Sequence, residues 1–493
     1  MSEGVAVHAA GVDETVQDYF GPVSDWIVGK VFYAVEINGA TVPLIVLWLI
    51  VAAIFFTLWL GFPQLNGLKH SLDLVRGRFS KPEDAGEVSH FQALATAVSG
   101  TVGLGNIAGV AVAISIGGPG ATFWMIVAGF FGMAAKMAEC TLGVMYRHKH
   151  ADGSVSGGPM YYLRHGVARV TGSSGLGRFL AAFFAVCCVG GALGGGNMFQ
   201  ANQATAQIVA VTGGEDSVFS GLNWVIGLIF AVAVGLVIIG GIKSIARVTE
   251  KIVPLMAAIY LTACLVVIAG SLDQVPSAFG AIVSGAFGAE GIAGGFVGVL
   301  IVGFQRAAFS NEAGVGSASI AHSAVKTEEP ATEGFVALLE PLIDTIIICT
   351  MTALTIVITG AWDDPDAGEL GGVGLTSRAF ESVIPWFPNV LAVAVILFAF
   401  STMISWSYYG MKATGYLFGD SARAELVFKI VFCVFTVIGA SLSLGPVIGF
   451  SDAMIFMMAI PNVIGLYILA RVLRTEVRAH RARVESGEFA RVK

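Results

Sequence analysis

Eleven runs of about twenty mostly apolar residues recur along the chain, near 42–61, 91–115, 119–145, 179–210, 222–242, 251–271, 292–325, 333–360, 386–417, 425–444 and 446–471. Each is long enough for a helix to cross the hydrocarbon core of a bilayer. The segments between them alternate in charge. The loop 62–90 carries Lys69, Arg76, Arg78 and Lys81, the loop 146–178 carries Arg147, Lys149, Arg164, Arg169 and Arg178, and 243–251 carries Lys243, Arg247 and Lys251. Lys326, Lys412, Arg423 and a basic end from Arg474 to Lys493 continue the series, whereas the connections around Glu215-Asp216 and Asp363-Asp364-Pro365-Asp366 are acidic. Basic loops stay on the cytoplasmic side, so the N-terminus is expected outside and the C-terminus inside, which agrees with an odd number of spans.

Composition supports this pattern. The 493 residues are 56% hydrophobic and 12% charged, with a mean hydropathy of +0.80, and these values describe an integral membrane protein with lipid and not nucleic acid around it. The first forty residues hold Glu3, Asp13, Glu14, Asp18 and Asp25 against Lys30, unlike a basic signal peptide, so the first span is expected to stay in the mature protein. The six cysteines lie in apolar surroundings without zinc-type spacing and indicate neither a metal site nor a disulfide framework. The net charge of −7 adds little, since the basic residues are segregated.

A short pattern occurs twice inside these runs. Ser99, Gly103 and Gly105 form Ser-x-x-x-Gly-x-Gly, and Ser310, Gly314 and Gly316 repeat it, with Ala97 and Ala308 at the same offset. Glycine weakens a helix and leaves backbone groups that lipid cannot satisfy, so such breaks persist where they face protein or a site. The copies fall in the second and seventh spans, which cross in opposite directions. This predicts an all-α membrane protein of eleven transmembrane helices: a five-plus-five inverted repeat with two discontinuous helices, plus one extra N-terminal span. The segments are 1–87 (extracellular segment, extra span and cytoplasmic loop), 88–271 and 272–473 (the two repeats) and 474–493 (cytoplasmic basic tail).

Half-helix N-termini offer N–H groups to a carboxylate, and half-helix C-termini offer carbonyls to an ammonium or sodium ion. Thr101 and Asn106 add oxygen ligands at the first break and Asn311 at the second; such neutral oxygens suit a hard monovalent cation. Glycines 190–191 and 194–196 are explained by close helix packing. Charged residues within spans need partners. Lys136 and Glu139, three apart, are expected to pair. Glu312 lies within the second break, as a site or gating residue, and Arg306 precedes it as an outer gate or packing cation. Glu340 and Asp344, at i and i+4, form a proton site or a bundle anchor. Ser401 and Ser405 share one helix face beside Thr402 and Trp406, and the fourth span holds Asn197, Gln200, Asn202 and Gln203.

The chain lacks H-E-x-x-H, G-x-S-x-G and a phosphate-binding G-x-x-x-x-G-K-[ST], so neither an enzyme nor an ATP-driven pump is expected. An ion channel would need a continuous hydrophilic pore, and matched breaks within one chain argue against it. Three strings, Gly100 to Val110, Gly157-Gly158-Pro159-Met160-Tyr161-Tyr162 and Phe309 to Ala318, resemble the alanine or glycine:cation symporter family over nearly the whole chain, and the first is also similar to the broken helix of sodium-coupled neurotransmitter transporters. The resemblance implies sodium-driven uptake of alanine and glycine across the plasma (inner) membrane, with no cofactor and Na+ as coupling ion. It implies that the backbone at Gly103 and Gly105 holds the carboxylate, that Gln200, Phe309, Thr402 and Trp406 line the pocket beside Thr101 and Asn311, and that Ser99 and Val102 carbonyls with Ser401, Thr402 or Ser405 hydroxyls form a sodium site, Asn106 serving a second. A proton-coupled symporter using Glu312 or Asp344 is the alternative.

Overall fold

The computed structural model describes residues 20–37, 40–80, 84–151, 153–288, 295–364 and 367–489. The acidic residues Glu3 to Asp18, Lys81, Pro365, Asp366, Arg491 and Lys493 lie outside the described residues. Every predicted apolar run is helical: α1 (Leu44–Leu60), α2 (His90–Thr101) continued by α3 (Val110–Gly117), α4 (Gly120–Met145), α5 (Ser174–Leu193) continued by α6 (Phe199–Val211), α7 (Asn223–Ile238), α8 (Gly241–Gly270), α9 (Gly295–Asn311), α10 (Ala318–His322), α11 (Pro330–Ala337) continued to α12 (Thr350–Ile358), α13 (Phe387–Phe418), α14 (Ala422–Ser441) and α15 (Leu444–Ser486). Among the described residues, seven helices are long and apolar enough to cross a membrane, and the bent pair α2/α3 makes an eighth. Helices α1 and α7 are apolar but shorter. Further helices, among them Leu68–Val75, Val275–Phe287 and Ala367–Glu381, and two small antiparallel hairpins, Ala34–Ile37 with Ala40–Pro43 and His148–Lys149 with Val155–Ser156, join them.

Local chemistry sets the helix ends. Ser89 accepts from the Gln92 N–H while the Gln92 side chain accepts from the Ser89 N–H, a reciprocal cap that starts α2. Ser173 and Ser421 cap α5 and α14 in the simpler way. The apolar windows of α4, of Pro330–Ile358 and of α15 are 67% buried, against 33% for α8 and α14, which places the first group in the interior and the second toward lipid.

Close packing in the interior relies on small residues, because helices in lipid gain little from apolar burial alone. A Cβ on Gly120 would lie 2.2 Å from the Gly285 carbonyl carbon, and one on Gly439 would lie 2.4 Å from the Met198 Cα. The segment after 474 continues α15 without a break, and Arg474 lies 4.5 Å over the Trp59 ring while Arg481 donates to the Asn66 side chain at 2.8 Å. Arg474 and Arg481 are thus docked on the end of α1 and the chain that follows it.

Because the contact at Gly439 is with backbone, Gly439→Ala should destabilise by about 1–3 kcal/mol and lower the melting midpoint in detergent. Gly280→Ala, with nothing within 4 Å of the added carbon, should leave it unchanged.

Candidate functional site

Both glycine motifs end their helices within the bundle. At the first, α2 stops at Thr101, Val102 takes a non-helical backbone (φ −76°, ψ 85°), and α3 restarts through a wide turn at Gly105–Gly109 with a 50° bend. At the second, α9 stops at Asn311, and Glu312, Gly314 and Gly316 adopt φ of 55°, 87° and 96°. That left-handed conformation suits glycine and stops the helix. Glu312 occupies it with a side chain, at a cost of about 1–3 kcal/mol.

The breaks lie against each other, since a Cβ on Gly105 would sit 3.5 Å from the Ser310 Cα. Two side chains from other helices tie them together. The Trp406 indole N–H of α13 reaches both the Gly100 carbonyl (3.2 Å) and Glu312 Oε1 (3.0 Å), and Ser317 holds the other Glu312 oxygen. On the opposite side Asp344 accepts from the Asn106 amide at 2.6 Å, from Ser310 at 2.9 Å and from Thr345 at 2.7 Å. Asp344 is fully buried and makes no ion pair among the described residues. Asn311 reaches this cluster through Thr345 at 2.9 Å.

Helix α13 completes the first break. Thr402 donates to the Ser99 carbonyl at 2.9 Å, and Ser99 donates to the Ser401 carbonyl at 2.7 Å. Ser401 donates back to Phe398 at 3.0 Å, whereas Ser405 Oγ is buried without a partner. The Thr101 hydroxyl likewise turns back to the Ala97 and Val98 carbonyls at 3.3 Å. Of the four amides near the fourth run, only Gln200 faces the break, accepting from Leu104 N–H at 3.1 Å; Asn197, Asn202 and Gln203 hold backbone or each other elsewhere. The Gly103 N–H donates to Asn106 Oδ1 at 2.9 Å, and a Cβ on Gly103 would meet Thr402 Oγ1 at 2.4 Å and Gln200 Oε1 at 3.1 Å. Phe309 packs edge-on to Phe199 with centroids 5.3 Å apart, beside Gly105. The structure therefore brings together Gly103, Gly105, Gln200, Phe309, Thr402 and Trp406, with Ser99, Val102, Ser401 and Ser405 on one flank and Asn106 and Asn311 on the other.

Two pairings differ from the sequence expectation. Lys136 pairs with Glu340 at 3.3 Å and not with Glu139, which accepts instead from Asn462 at 2.9 Å. Glu340 and Asp344 take separate partners: Glu340 pairs with Lys136 and His322, and Asp344 bonds Asn106, Ser310 and Thr345. Three contributors carried no sequence signal beyond their polarity. Asp452 of α15 pairs with Arg306, whose guanidinium lies 5.5 Å over the Phe309 ring. The Tyr409 hydroxyl is buried beside Gly100. Asn462 holds the Gly314 carbonyl at 2.9 Å and accepts from Tyr162.

The opposite end of the bundle from Arg306 is closed by backbone. Val88 pairs with Val325 in a short parallel bridge, Glu87 N–H donates to Ala324 at 2.7 Å, and Arg147 donates to the carbonyls of Ala85 and Ser323 at 2.9 Å, Val325 at 2.6 Å and Thr327. Nearby, a hydrogen bond from Lys149 at 2.8 Å holds the Glu328 carboxyl below the usual carboxylate range.

These features agree with known proteins. The crystal structure of MhsT in complex with L-phenylalanine has the same fold, with a TM-score of 0.51 at 15% identity, over 80% of this chain and 98% of that one. A sodium/alanine symporter, AgcS of Methanococcus maripaludis, is 40% identical over 89% of this chain and 94% of its own length, and GlnT of Bacillus subtilis, named a probable sodium/glutamine symporter, is 33% identical over 90% and 89%. Residues 27–493 match the sodium:alanine symporter family. The chain belongs to that family and is a multi-pass, sodium-coupled amino-acid symporter, not an enzyme.

Proposed function

We propose that this symporter imports a small neutral amino acid, alanine or glycine, with Na+ by alternating access across the plasma (inner) membrane, its N-terminus outside and its C-terminus cytoplasmic. The observation that carries the reading is the pair of facing breaks joined by Trp406 and Asp344. The eleven helical runs then make eleven spans, α2 to α8 and α9 to α15 being the two inverted repeats.

At the first break, the Gly103 and Leu104 N–H groups are covered by the neutral amide oxygens of Asn106 and Gln200. A substrate carboxylate would replace them with stronger charge-assisted bonds, aided by the dipole at the start of the half-helix. Phe309 and Trp406 bound the side-chain space and favour small substrates; Thr101 contributes backbone here, its hydroxyl being spent on its own helix. One sodium ion would take the Ser99 and Val102 carbonyls with Ser401, Thr402 and Ser405, where the unpartnered Ser405 oxygen awaits a ligand. A second would sit by Asp344 with the Ser310 and Thr345 hydroxyls, and with Asn106 once its oxygen is released by the Gly103 N–H, around a buried carboxylate that makes no ion pair among the described residues. Arg306 with Asp452 forms the outer gate, and Glu312 couples the gate of the second break to Trp406. A proton-coupled version has one observation in its favour: Glu312 and Asp344 are both buried carboxylates without an ion pair among the described residues.

Proteoliposomes loaded without sodium should accumulate labelled alanine when an inward sodium gradient is imposed; uptake that is absent, or indifferent to the gradient, overturns the proposal. Competition by a panel of D- and L-amino acids, glutamine included, should show alanine and glycine as the strongest inhibitors.

Gly103→Ala places a carbon against Thr402 and Gln200 and should reduce uptake at least roughly tenfold, a loss of about 1.4 kcal/mol, and lower the melting midpoint as well, since Thr402 is buried and bonded to the Ser99 carbonyl.

Asp344→Asn should raise the sodium concentration needed for half-maximal uptake by about tenfold or more. Glu312→Gln should spare sodium-driven uptake; if it instead abolishes uptake driven by a pH gradient, the proton-coupled version is correct.

A further inference from the structure

His322 closes the short helix α10 with both ring nitrogens spent on carboxylates. Nδ1 meets Glu333 at 2.5 Å and Nε2 meets Glu340 at 2.7 Å, and all three side chains are fully buried. The second Glu333 oxygen takes Nδ1 of His90, the first residue of α2, and the second Glu340 oxygen faces Lys136 of α4. A neutral imidazole has one N–H and one lone pair. A lone pair directed at a carboxylate would be repelled in a site without water, so the Glu333–His322–Glu340 unit holds one proton beyond a neutral histidine between two carboxylates, as imidazolium or as a carboxylic acid.

The surroundings do not remove that requirement. Helix α2 presents His90, and α4 presents Lys136, Glu139 and Cys140. Lys136 is one ammonium whose charge is shared among Glu340, Glu312 and Glu139. Arg147 acts on Glu333 electrostatically, yet its donors are committed to carbonyls. From α13, Tyr409 adds a neutral hydroxyl near Glu340, and Tyr162 one near Glu139. Cys140, His322 and Glu340 bring possible ligand atoms within 4.8 Å of one another, but a doubly bonded imidazole has no lone pair left for a metal.

We propose that Glu333–His322–Glu340 is a proton-binding site that latches the inner half of the second broken helix shut. One proton is bound while α10 lies against α2, α4 and α11, and it passes to the inner solution when α10 moves away and His322 meets water. The site sits beside the Val88–Val325 bridge and the Arg147 clamp, where this half of the helix meets the rest of the bundle. The inference rests on the alternating-access reading above, and it concerns a proton that acts from one side, separate from the ion that drives uptake.

The test uses the full chain in proteoliposomes under a fixed inward sodium gradient, with labelled alanine uptake read while internal and external pH are varied separately. Uptake should follow internal pH along a one-proton curve and ignore external pH; His322→Gln should flatten the curve, and Glu333→Gln, which removes one of the two carboxylates, should move it toward acid. A wild-type rate that ignores internal pH, or variants that keep the wild-type curve, overturns the latch. The melting midpoint in detergent needs no substrate. The latch proton stabilises the closed fold below its titration and is lost as pH rises, so the wild-type midpoint should fall from neutral to alkaline pH and that of His322→Gln should not. If sodium drives no uptake but this contrast holds, the transporter reading fails and the proton site stands; if the midpoints run parallel, the proton site fails. Should His322→Gln not fold, Glu333→Gln carries both readouts, and an unshifted midpoint curve is the overturning result.

Discussion

A helix interrupted inside a membrane exposes backbone N–H and C=O groups in a place where water does not compete for them, and the rest of this molecule is arranged around that constraint. Two interruptions placed face to face halve the problem only if other helices supply partners for both. Trp406 does so at one edge, its single N–H divided between the Gly100 carbonyl and Glu312, and Asp344 at the other, gathering donors from Asn106 and Ser310. Each of these two side chains touches both broken helices. A change in the angle between the breaks must therefore disturb the Trp406 pair, the Asp344 cluster or both.

The second constraint is charge. An isolated ionised group in this interior would be far more costly than a paired one, and five buried titratable side chains run together: Lys136 with Glu340, Glu340 with His322, His322 with Glu333, Glu333 with His90. Asp344, one turn beyond Glu340, stays out of this chain. Glu340 is bound into a network of titratable groups, whereas Asp344 is held by the neutral donors of Asn106, Ser310 and Thr345.

Much of this is legible in the amino-acid sequence alone. Apolar runs set by length mark the helices, and the repeated Ser-x-x-x-Gly-x-Gly marks both breaks because glycine in such a helix has few other uses. The gathering of Gly103, Gly105, Gln200, Phe309, Thr402 and Trp406 also follows from motif resemblance. What is not legible depends on long-range choice or on helix irregularity. Lys136 has Glu139 one turn away but lies nearer to Glu340, far along the chain; by polarity alone, without the resemblance, Gln200 cannot be told from three neighbouring amides; Asp452, Tyr409 and Asn462 are single polar residues whose partners come from other helices. Thr101 and Ser401 show the opposite limit, since a hydroxyl in a helix that points toward a site can still spend its hydrogen on its own preceding turn.

The twin breaks are alike in sequence and unlike in physics. At the first, glycine is needed for approach: Gly103 keeps an ordinary backbone conformation, and it is the closeness of Thr402 and Gln200 that excludes a side chain. At the second, glycine is needed for conformation, with Gly314 and Gly316 left-handed and Glu312 held left-handed against its preference by Trp406 and Ser317. A break shaped by proximity has backbone presented to a ligand. A break shaped by conformation has its backbone path set by left-handed residues, with the polar partners of Glu312 holding it. On the function proposed above, the first copy holds substrate and the second moves around it.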